Sequence, residues 1–354
     1  MANKRVFYAV HQAGFAELGS QTFTPAHGLQ SVGVTTSFNL TQIFEIGQLE
    51  IYENIEDIPE VEVTLEKVID GYPTLWHLAT RGRSSFTLAG CGNTQTIFGT
   101  SIFSDLQDSA SGTPVSVMQC SGLYPSSTTW NFPVEGTFTE SLSLVGNDKT
   151  WDTVAGFAFS GAFDNTDVPL ALSSGLGGVQ TRQDMIFDYI GALVGLDENG
   201  SIQVQSGTVL PQDIPGISSS GTNDRVGGEL SAHVTNISVT ANLGRERINE
   251  LGKKGPYHRY LGFPIEYTCE ISCISTQGDG VQGTEDGILG NGDNLTNRTI
   301  KINLREGLML NLGTRMKLQT SSETGGDTSG GNMELQYTYQ GFNNLTITHP
   351  QAPV

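Results

Sequence analysis

The sequence predicts an all-β protein, an antiparallel sandwich or barrel with a few short helices and long hairpin loops. Several long segments alternate apolar and polar residues with a period of two, which is typical of strands with one buried face. Glycine is abundant, at 44 of 354 residues, whereas helix-favouring lysine and alanine are sparse. Glycine- and serine-rich stretches separate the alternating segments, as expected of hairpin loops between strands.

The alternation is clear in residues 59–68, PEVEVTLEKV, where valine and leucine alternate with Glu60, Glu62 and Glu66. Successive side chains of a strand point to opposite faces of the sheet. The segment therefore predicts a strand with one buried face and one acidic, solvent-exposed face.

Two other alternating segments contain a carboxylate in an otherwise apolar row. Glu140 shares its row with Phe138 and Leu142, and Glu306 interrupts a row of leucines and isoleucines in residues 299–313. A carboxylate buried in such a row needs a positively charged or hydrogen-bonding partner. The sequence alone does not show where that partner lies.

Two further strands are predicted in the second half of the chain. In residues 229–244, ELSAHVTNISVTANLG, the apolar row changes from even to odd positions at Asn236, which predicts a β-bulge. In residues 263–274, FPIEYTCEISCI, Cys269 and Cys273 share the apolar row. They are too far apart along one strand for a disulfide, and no metal-ligand spacing accompanies them, so they are expected to be buried free thiols.

Three segments predict short helices. Residues 70–80, DGYPTLWHLAT, combine a proline suited to a first helical turn with apolar residues at helical spacing. Residues 244–252, GRERINELG, end in a glycine typical of a helix C-terminus. Residues 184–195, DMIFDYIGALVG, place apolar side chains on one helical stripe.

The glycine- and serine-rich stretches lie between strand candidates at residues 216–228, 276–295 and 320–331. They are expected to be long hairpin tips, not linkers between domains. We therefore expect one domain, residues 1–354, with extended loops and insertions at approximately residues 81–113, 152–225, 276–297 and 320–332.

The charge of the chain is strongly acidic, with 37 acidic and 18 basic residues and a formal net charge of −19. Such a surface lacks the excess of lysine and arginine with which proteins grip DNA phosphates, so a DNA-reading or DNA-translocating protein is disfavoured. The N-terminal residues have no signal-peptide pattern, and no apolar run is long enough to cross a membrane. We expect a protein made and folded in the cytosol, with no membrane partner.

Motifs for catalysis or cofactor binding are not found. The sequence has no nucleophile elbow, phosphate-binding loop, zinc-protease helix or dinucleotide fingerprint. The carboxylates Glu60 and Glu62 could serve a glycosidase, but no aromatic sugar platform accompanies them. The oxygen-rich stretches GNGDN and LDENGS lack the register of a calcium-binding loop. We expect neither an enzyme nor a bound cofactor or metal.

Three stretches, taken in order, resemble the bacteriophage tail tube protein family. They are FPVEGTFTESLSLVGNDKTW at 132–151, GGVQTRQDMIF with SGTVLPQDIPGI between 177 and 217, and the strand, short helix and return strand of 233–271. The similarity is loose over residues 43–69 and closer over residues 115–274. The glycine-rich tips and residues 87–112 have no counterpart in it.

The resemblance implies a structural virion protein. Subunits of such a family form rings, most often hexameric, whose strands join into a continuous barrel, and the rings stack into a tube that conducts DNA during ejection. The implied partners are further copies of the chain, the tail sheath, tape measure, terminator and baseplate proteins, and double-stranded DNA that passes without specific binding. The implied location is the virion tail, after assembly in the host cytoplasm.

Two alternatives remain open at this point. A tail terminator or a baseplate tube-initiator protein would share the same pattern. A β-sandwich binding or adhesion module belongs to a different class, and the missing signal peptide and sparse aromatic residues argue against it.

The resemblance also assigns roles to candidate residues. Glu60, Glu62 and Glu66 are candidates for a carboxylate row along the lumen, where like charge would keep DNA from adhering. Their alternative role is a solubilising outer face. The candidate charges between subunits are Glu140 and Glu306 on the acidic side, and Arg245, Arg247, Arg259 and Arg305 on the basic side.

Overall fold

The computed structural model describes residues 9–20, 22–81, 85–88, 94–103, 116–152, 158–159, 178–186, 194–196, 202–204, 207–211, 233–253, 255–256, 258–274, 297–325 and 332–349. Strands contain 62% of these residues and helices 4%. The predicted all-β class is therefore confirmed. Within the described residues no sheet closes into a barrel.

The strands of the first half are β1 (Ala9–Glu17), β2 (Thr22–Pro25), β3 (Leu29–Ser37), β4 (Leu40–Phe44), β5 (Ile51–Glu56), β6 (Glu60–Val68), β7 (Ser85–Thr87), β8 (Thr96–Phe103), β9 (Ser116–Pro133), β10 (Thr139–Gly146), β11 (Asp148–Asp152) and β12 (Ala158–Phe159). Those of the second half are β13 (Val194–Leu196), β14 (Ile202–Val204), β15 (Val234–Asn242), β16 (Arg245–Ile248), β17 (His258–Leu261), β18 (Glu266–Ile274), β19 (Lys301–Asn303), β20 (Met309–Asn311), β21 (Lys317–Thr324), β22 (Glu334–Phe342) and β23 (Thr346–Thr348). The helices are α1 (Leu75–Thr80) and a 3-10 turn (Arg182–Asp184).

A long hairpin organises the main sheet. Strand β9 pairs antiparallel with β10 over its second half and with β11 over its first half. On its other edge β9 pairs with β8 near its start and with β15 near its end. The sheet continues from β8 through β1 and β2 to β12, and from β15 through β18 and β22 to β21. On the β10 side, β6 and then β3 extend it.

A smaller sheet, in the order β19, β20, β23 and β7, shares one apolar core with the main sheet. Trp76 of α1 and Trp130 of β9 are fully buried in this core. The Tyr267 hydroxyl donates a hydrogen bond to the carbonyl of Leu312 at 2.7 Å, which joins β18 to the segment that follows β20. Gly341 lies against the Tyr267 ring, where an added Cβ would approach ring carbons to 2.6 Å. The packing there therefore requires glycine.

The helix predicted within residues 70–80 is confirmed as α1. Thr74 caps its N-terminus, and its hydroxyl accepts a hydrogen bond from the amide of His77 at 3.3 Å. All six residues of the helix are buried. A helix this short is unstable in isolation, so its stability must come from packing against the core.

The helix predicted for residues 244–252 is wrong. Residues 245–248 form strand β16, which pairs with β17 in a two-stranded sheet. The Arg245 side chain donates from Nε to the carbonyl of Pro125 at 2.7 Å. Pairing with the nearby strand β17 has overridden a weak local helical preference, which is common because helix propensity is a small term.

The third predicted helix, residues 184–195, is extended at both of its described ends. Met185 forms a β-bridge with Leu304, and residues 194–196 form β13. Residues 187–193 lie outside the described residues.

Other local predictions are confirmed. The pairing of β15 with β18 shifts register between Val234 and Asn236, as a bulge requires. Cys269 and Cys273 are fully buried free thiols. The proposed insertion at residues 81–113 contributes β7 to the small sheet and β8 to the main sheet, so part of it belongs to the body of the fold. None of the described helices has the length and apolar character needed to cross a membrane.

Candidate functional site

The outer face of the main sheet is polar and acidic across six neighbouring strands, β6, β10, β9, β15, β18 and β22. We call it the polar face. Its side chains are exposed or half-buried, and they are Glu60, Glu62, Thr64, Glu66, Ser127, Thr129, Asn131, Thr139, Ser141, Ser143, Ser238, Thr240, Asn242, Glu266, Thr268, Glu270, Ser272, Glu334, Gln336, Thr338 and Gln340.

The six strands of the polar face contribute no positive charge to it, and the cations at its border include Arg259, which pairs with Glu60, and Lys317 of β21, which lies opposite Gln340. The six strands contain a single lysine and no arginine, and that lysine, Lys67, is buried on the opposite face. Hydrogen bonds between side chains of neighbouring strands hold the surface groups in place. Gln340 donates to Glu266, Gln336 donates to Glu270, and Ser31 on β3 donates to Glu66. The surface therefore presents hydroxyl, amide and carboxylate groups to solvent.

The three candidate lumen carboxylates lie on this face, as the alternation of β6 predicts. Glu62 and Glu66 are exposed, whereas Glu60 is half-buried. Glu60 accepts an ion-paired hydrogen bond from Arg259 at 3.0 Å. A predicted lumen carboxylate and a predicted intersubunit cation are thus partners within one chain.

The other candidate cations differ in exposure. Arg245 is half-buried, and its guanidinium lies 5.2 Å from the centre of the Tyr124 ring. Burial lowers the pKa of Arg245 to about 10, which still leaves it charged at neutral pH. Arg247 and Arg305 expose their side chains.

A second surface feature is the exposed end of the hairpin formed by β3 and β6. Residues 38–57, which include β4 and β5, are exposed throughout, and we call this segment the arm. At its base the Asn39 side chain donates to the carbonyl of Ile58 at 3.2 Å. The arm therefore projects from the sheet as a paired ribbon without a core of its own.

The arm exposes an unusual number of large apolar side chains. They are Phe38, Leu40, Ile43, Phe44, Ile46, Leu49, Ile51, Tyr52 and Ile55. Ile46 and Leu49 at its tip are fully exposed. The arm also has five carboxylates and no lysine or arginine. This number of exposed large apolar side chains makes the arm a candidate interaction site. Sequence analysis missed it, because a segment rich in isoleucine, leucine and phenylalanine usually indicates buried structure.

Glu140 finds its partners within its own chain. It is fully buried, and its carboxylate accepts hydrogen bonds from the amides of Leu75 at 2.6 Å and Trp76 at 2.9 Å. These amides begin α1, where N–H groups have no partner inside the helix. The structure corrects the expectation of a partner on a neighbouring subunit: Glu140 anchors α1 to the main sheet.

Glu140 belongs to a buried cluster of ionisable groups. Lys67 contacts Asp70, with Nζ 2.5 Å from Oδ1, and also donates to the carbonyl of His27 at 2.6 Å. Glu306 is fully buried, and neither of its carboxyl oxygens has a hydrogen-bond partner among the described residues. It was predicted to carry an intersubunit charge, and its burial likewise removes it from the surface.

Two histidines complete the cluster. The rings of His77 and His349 have centroids 6.0 Å apart, and both residues are fully buried. Burial lowers the pKa of His77 to about 4 and that of His349 well below its usual value. Both rings are therefore neutral at neutral pH. The described residues contain no group of three or more His, Cys, Asp and Glu side chains arranged to hold a metal ion.

The carboxyl groups of the cluster are hard to ionise. Burial raises the pKa of Glu140 to about 7, although the two helix amides and Lys67 favour its charged form. Burial and the neighbouring charge of Asp70 raise the pKa of Glu306 well above its usual value. The cluster is buried, and within it Glu140 holds the start of α1 against the main sheet.

Replacing Glu306 with glutamine is expected to raise the free energy of unfolding at pH 8 by about 1–3 kcal/mol. The folded wild type keeps a proton on Glu306 that the unfolded chain releases above its ordinary carboxyl pKa, so wild-type stability falls as pH rises. Glutamine has no proton to lose, and the two proteins should therefore converge at pH 4. Urea unfolding at both pH values tests this, with the exposed Glu323→Gln as control. A difference that does not change with pH would contradict it.

No protein-family model matches the chain, and no curated protein matches it.

Proposed function

We propose that the chain is a structural subunit of a phage tail tube, and that the polar face lines the lumen through which DNA passes. The observation that carries the proposal is that the six strands of that face place no lysine or arginine on it. The resemblance of residues 115–274 to tail tube proteins supports it.

The chemistry of the polar face suits the passage of a polyanion. DNA binds proteins largely by exchanging condensed counterions for lysine and arginine side chains, and six strands that place no cation on this face offer little such exchange. The carboxylates Glu62, Glu66, Glu266 and Glu270 repel phosphates at short range, because their field decays within about 8 Å at physiological salt. A duplex in contact with this wall would therefore slide without adhering.

Self-association is supported by the edges of the main sheet and by the arm. Among the described strands, β3 pairs only with β6 and β21 only with β22, so each has an edge that no described strand occupies. Unpaired edges join readily to other strands, and a head-to-tail contact that closes produces a ring. The apolar side chains of the arm would become buried in the same assembly. Electron microscopy of the purified chain tests this, since rings or tubes are expected and dispersed single particles would contradict it.

Replacing Glu62, Glu66 and Glu270 together with lysine is expected to make assembled tubes retain duplex DNA at low salt and release it as salt rises. Glu60 is left unchanged because it pairs with Arg259. Co-sedimentation of tubes with DNA fragments measures retention. A nuclease immobilised on beads, which cannot enter a lumen, then reports where the DNA lies.

A control with the same change in charge replaces Glu17, Glu135 and Glu250, which are exposed and lie outside the polar face. DNA protected from the nuclease in the first variant alone is the expected result. Digestion of all the retained DNA would show that the polar face lies on the outside of the tube.

A further inference from the structure

We propose that an apolar groove at one end of the main sheet receives the tip of the arm from a second copy of the chain. The inference rests on the proposed function, because it names one contact by which copies would join. The groove lies where β9 ends and β15 begins, and we call it the end groove.

The end groove has a volume of about 350 Å³ and is mostly apolar. Its floor contains the buried side chains of Phe132, Phe138 and Ile237. Val134 stands on its rim, where it is an exposed apolar residue. A cavity of this size accommodates two branched aliphatic side chains.

The rim of the end groove is held firmly in place. The amide of Val134 donates to the carbonyl of Thr235 at 2.8 Å, and the amide of Phe138 donates to the carbonyl of Gln180 at 3.0 Å. On the opposite side, the amide of Thr181 donates to the Asp184 carboxylate at 2.9 Å. The groove is thus formed before any partner arrives, which reduces the entropy lost on binding.

The charges beside the end groove and on the arm indicate which partner the groove binds. Among the described residues, Arg182 is the one charged side chain that lines the end groove, and it forms no ion pair with any of them. The tip of the arm places Glu45 and Glu50 beside Ile46 and Leu49. An apolar tip flanked by carboxylates matches an apolar groove with an arginine on its rim. The arm and the groove belong to the same chain, so repeated use would link successive copies head to tail.

Cysteine cross-linking tests the contact directly. A Leu49→Cys chain is mixed with a Val134→Cys chain under oxidising conditions, and peptide mass spectrometry identifies the linked residues. A disulfide between positions 49 and 134 is expected in the mixture. As a matched control, Ile248→Cys replaces an exposed apolar residue of β16 and should give no link to position 49.

A charge exchange tests the assigned pairing. Arg182→Glu should raise the protein concentration needed for assembly by about tenfold or more, because like charges would then face each other. Adding Glu45→Arg and Glu50→Arg to the same chain should restore assembly. The control Arg315→Glu reverses an exposed arginine outside the groove and should have no effect.

The outcomes separate the inference from the proposed function. If tubes form but no disulfide between positions 49 and 134 is found, the inference is overturned and the tube function still stands. The same holds if Arg182→Glu leaves the protein concentration needed for assembly unchanged. A wild-type chain that stays monomeric at every concentration would overturn both.

Discussion

Replacing Glu140 with alanine is expected to lower the free energy of unfolding by about 3–5 kcal/mol. The carboxylate accepts the amides of Leu75 and Trp76 at the buried start of α1. Without it, two buried donors lose their acceptor, at about 1–3 kcal/mol each. Lys67 also loses a nearby counter-charge. We therefore expect α1 to detach from the main sheet before the rest of the subunit unfolds.

The variant Glu140→Gln tests separately how much the charge of the carboxylate contributes, because it keeps the shape of the side chain. Glutamine keeps the shape but has one acceptor oxygen, so one of the two helix amides would face an NH₂ group, and a loss of about 1–3 kcal/mol is expected. The pKa of Glu140 is raised by burial to about 7, so the wild type loses stability as pH rises from the ordinary carboxyl pKa towards 7. The glutamine variant does not titrate, and its deficit should shrink over that range.

Urea unfolding of the unassembled subunit at pH 5 and pH 8 measures both effects. Glu62→Gln, an exposed carboxylate on the neighbouring strand β6, should change stability by less than about 0.5 kcal/mol. If Glu140→Ala left unfolding unchanged but prevented assembly, Glu140 would have to act between subunits after all.

Replacing both Ile46 and Leu49 with aspartate is expected to abolish assembly while leaving the subunit folded. Both side chains are fully exposed in the single chain, so they contribute little to its stability. In an assembly each would bury apolar surface that stabilises association by about 1.5–3 kcal/mol. Losing both should raise the concentration needed for assembly by at least about 100-fold.

Sedimentation velocity over a wide concentration range measures this, and circular dichroism confirms the fold. Leu18→Asp is the matched control, because Leu18 is also an exposed large apolar residue but lies outside the arm. Tubes from the double variant at the wild-type concentration would show that the arm is not an assembly element.

Several features of this protein follow from the sequence by itself. The period-two alternation placed Val63 and Leu65 in the core and Glu62 and Glu66 on the opposite face, as the structure confirms. It also placed Glu140 in an apolar row, where it is fully buried. These predictions hold because the direction of a side chain in a strand depends on the local backbone alone.

Other features depend on residues that are far apart in the chain. Glu140 is bonded to amides 65 and 64 residues away, so no local pattern could reveal its partner. Nearer in the chain, residues 245–248 form a strand because β17 pairs with them, despite their helical character. The arm shows the limit most clearly. Its isoleucine, leucine and phenylalanine residues are of the types that usually form a core, and only the tertiary structure decides burial, because burial depends on whether another layer covers them.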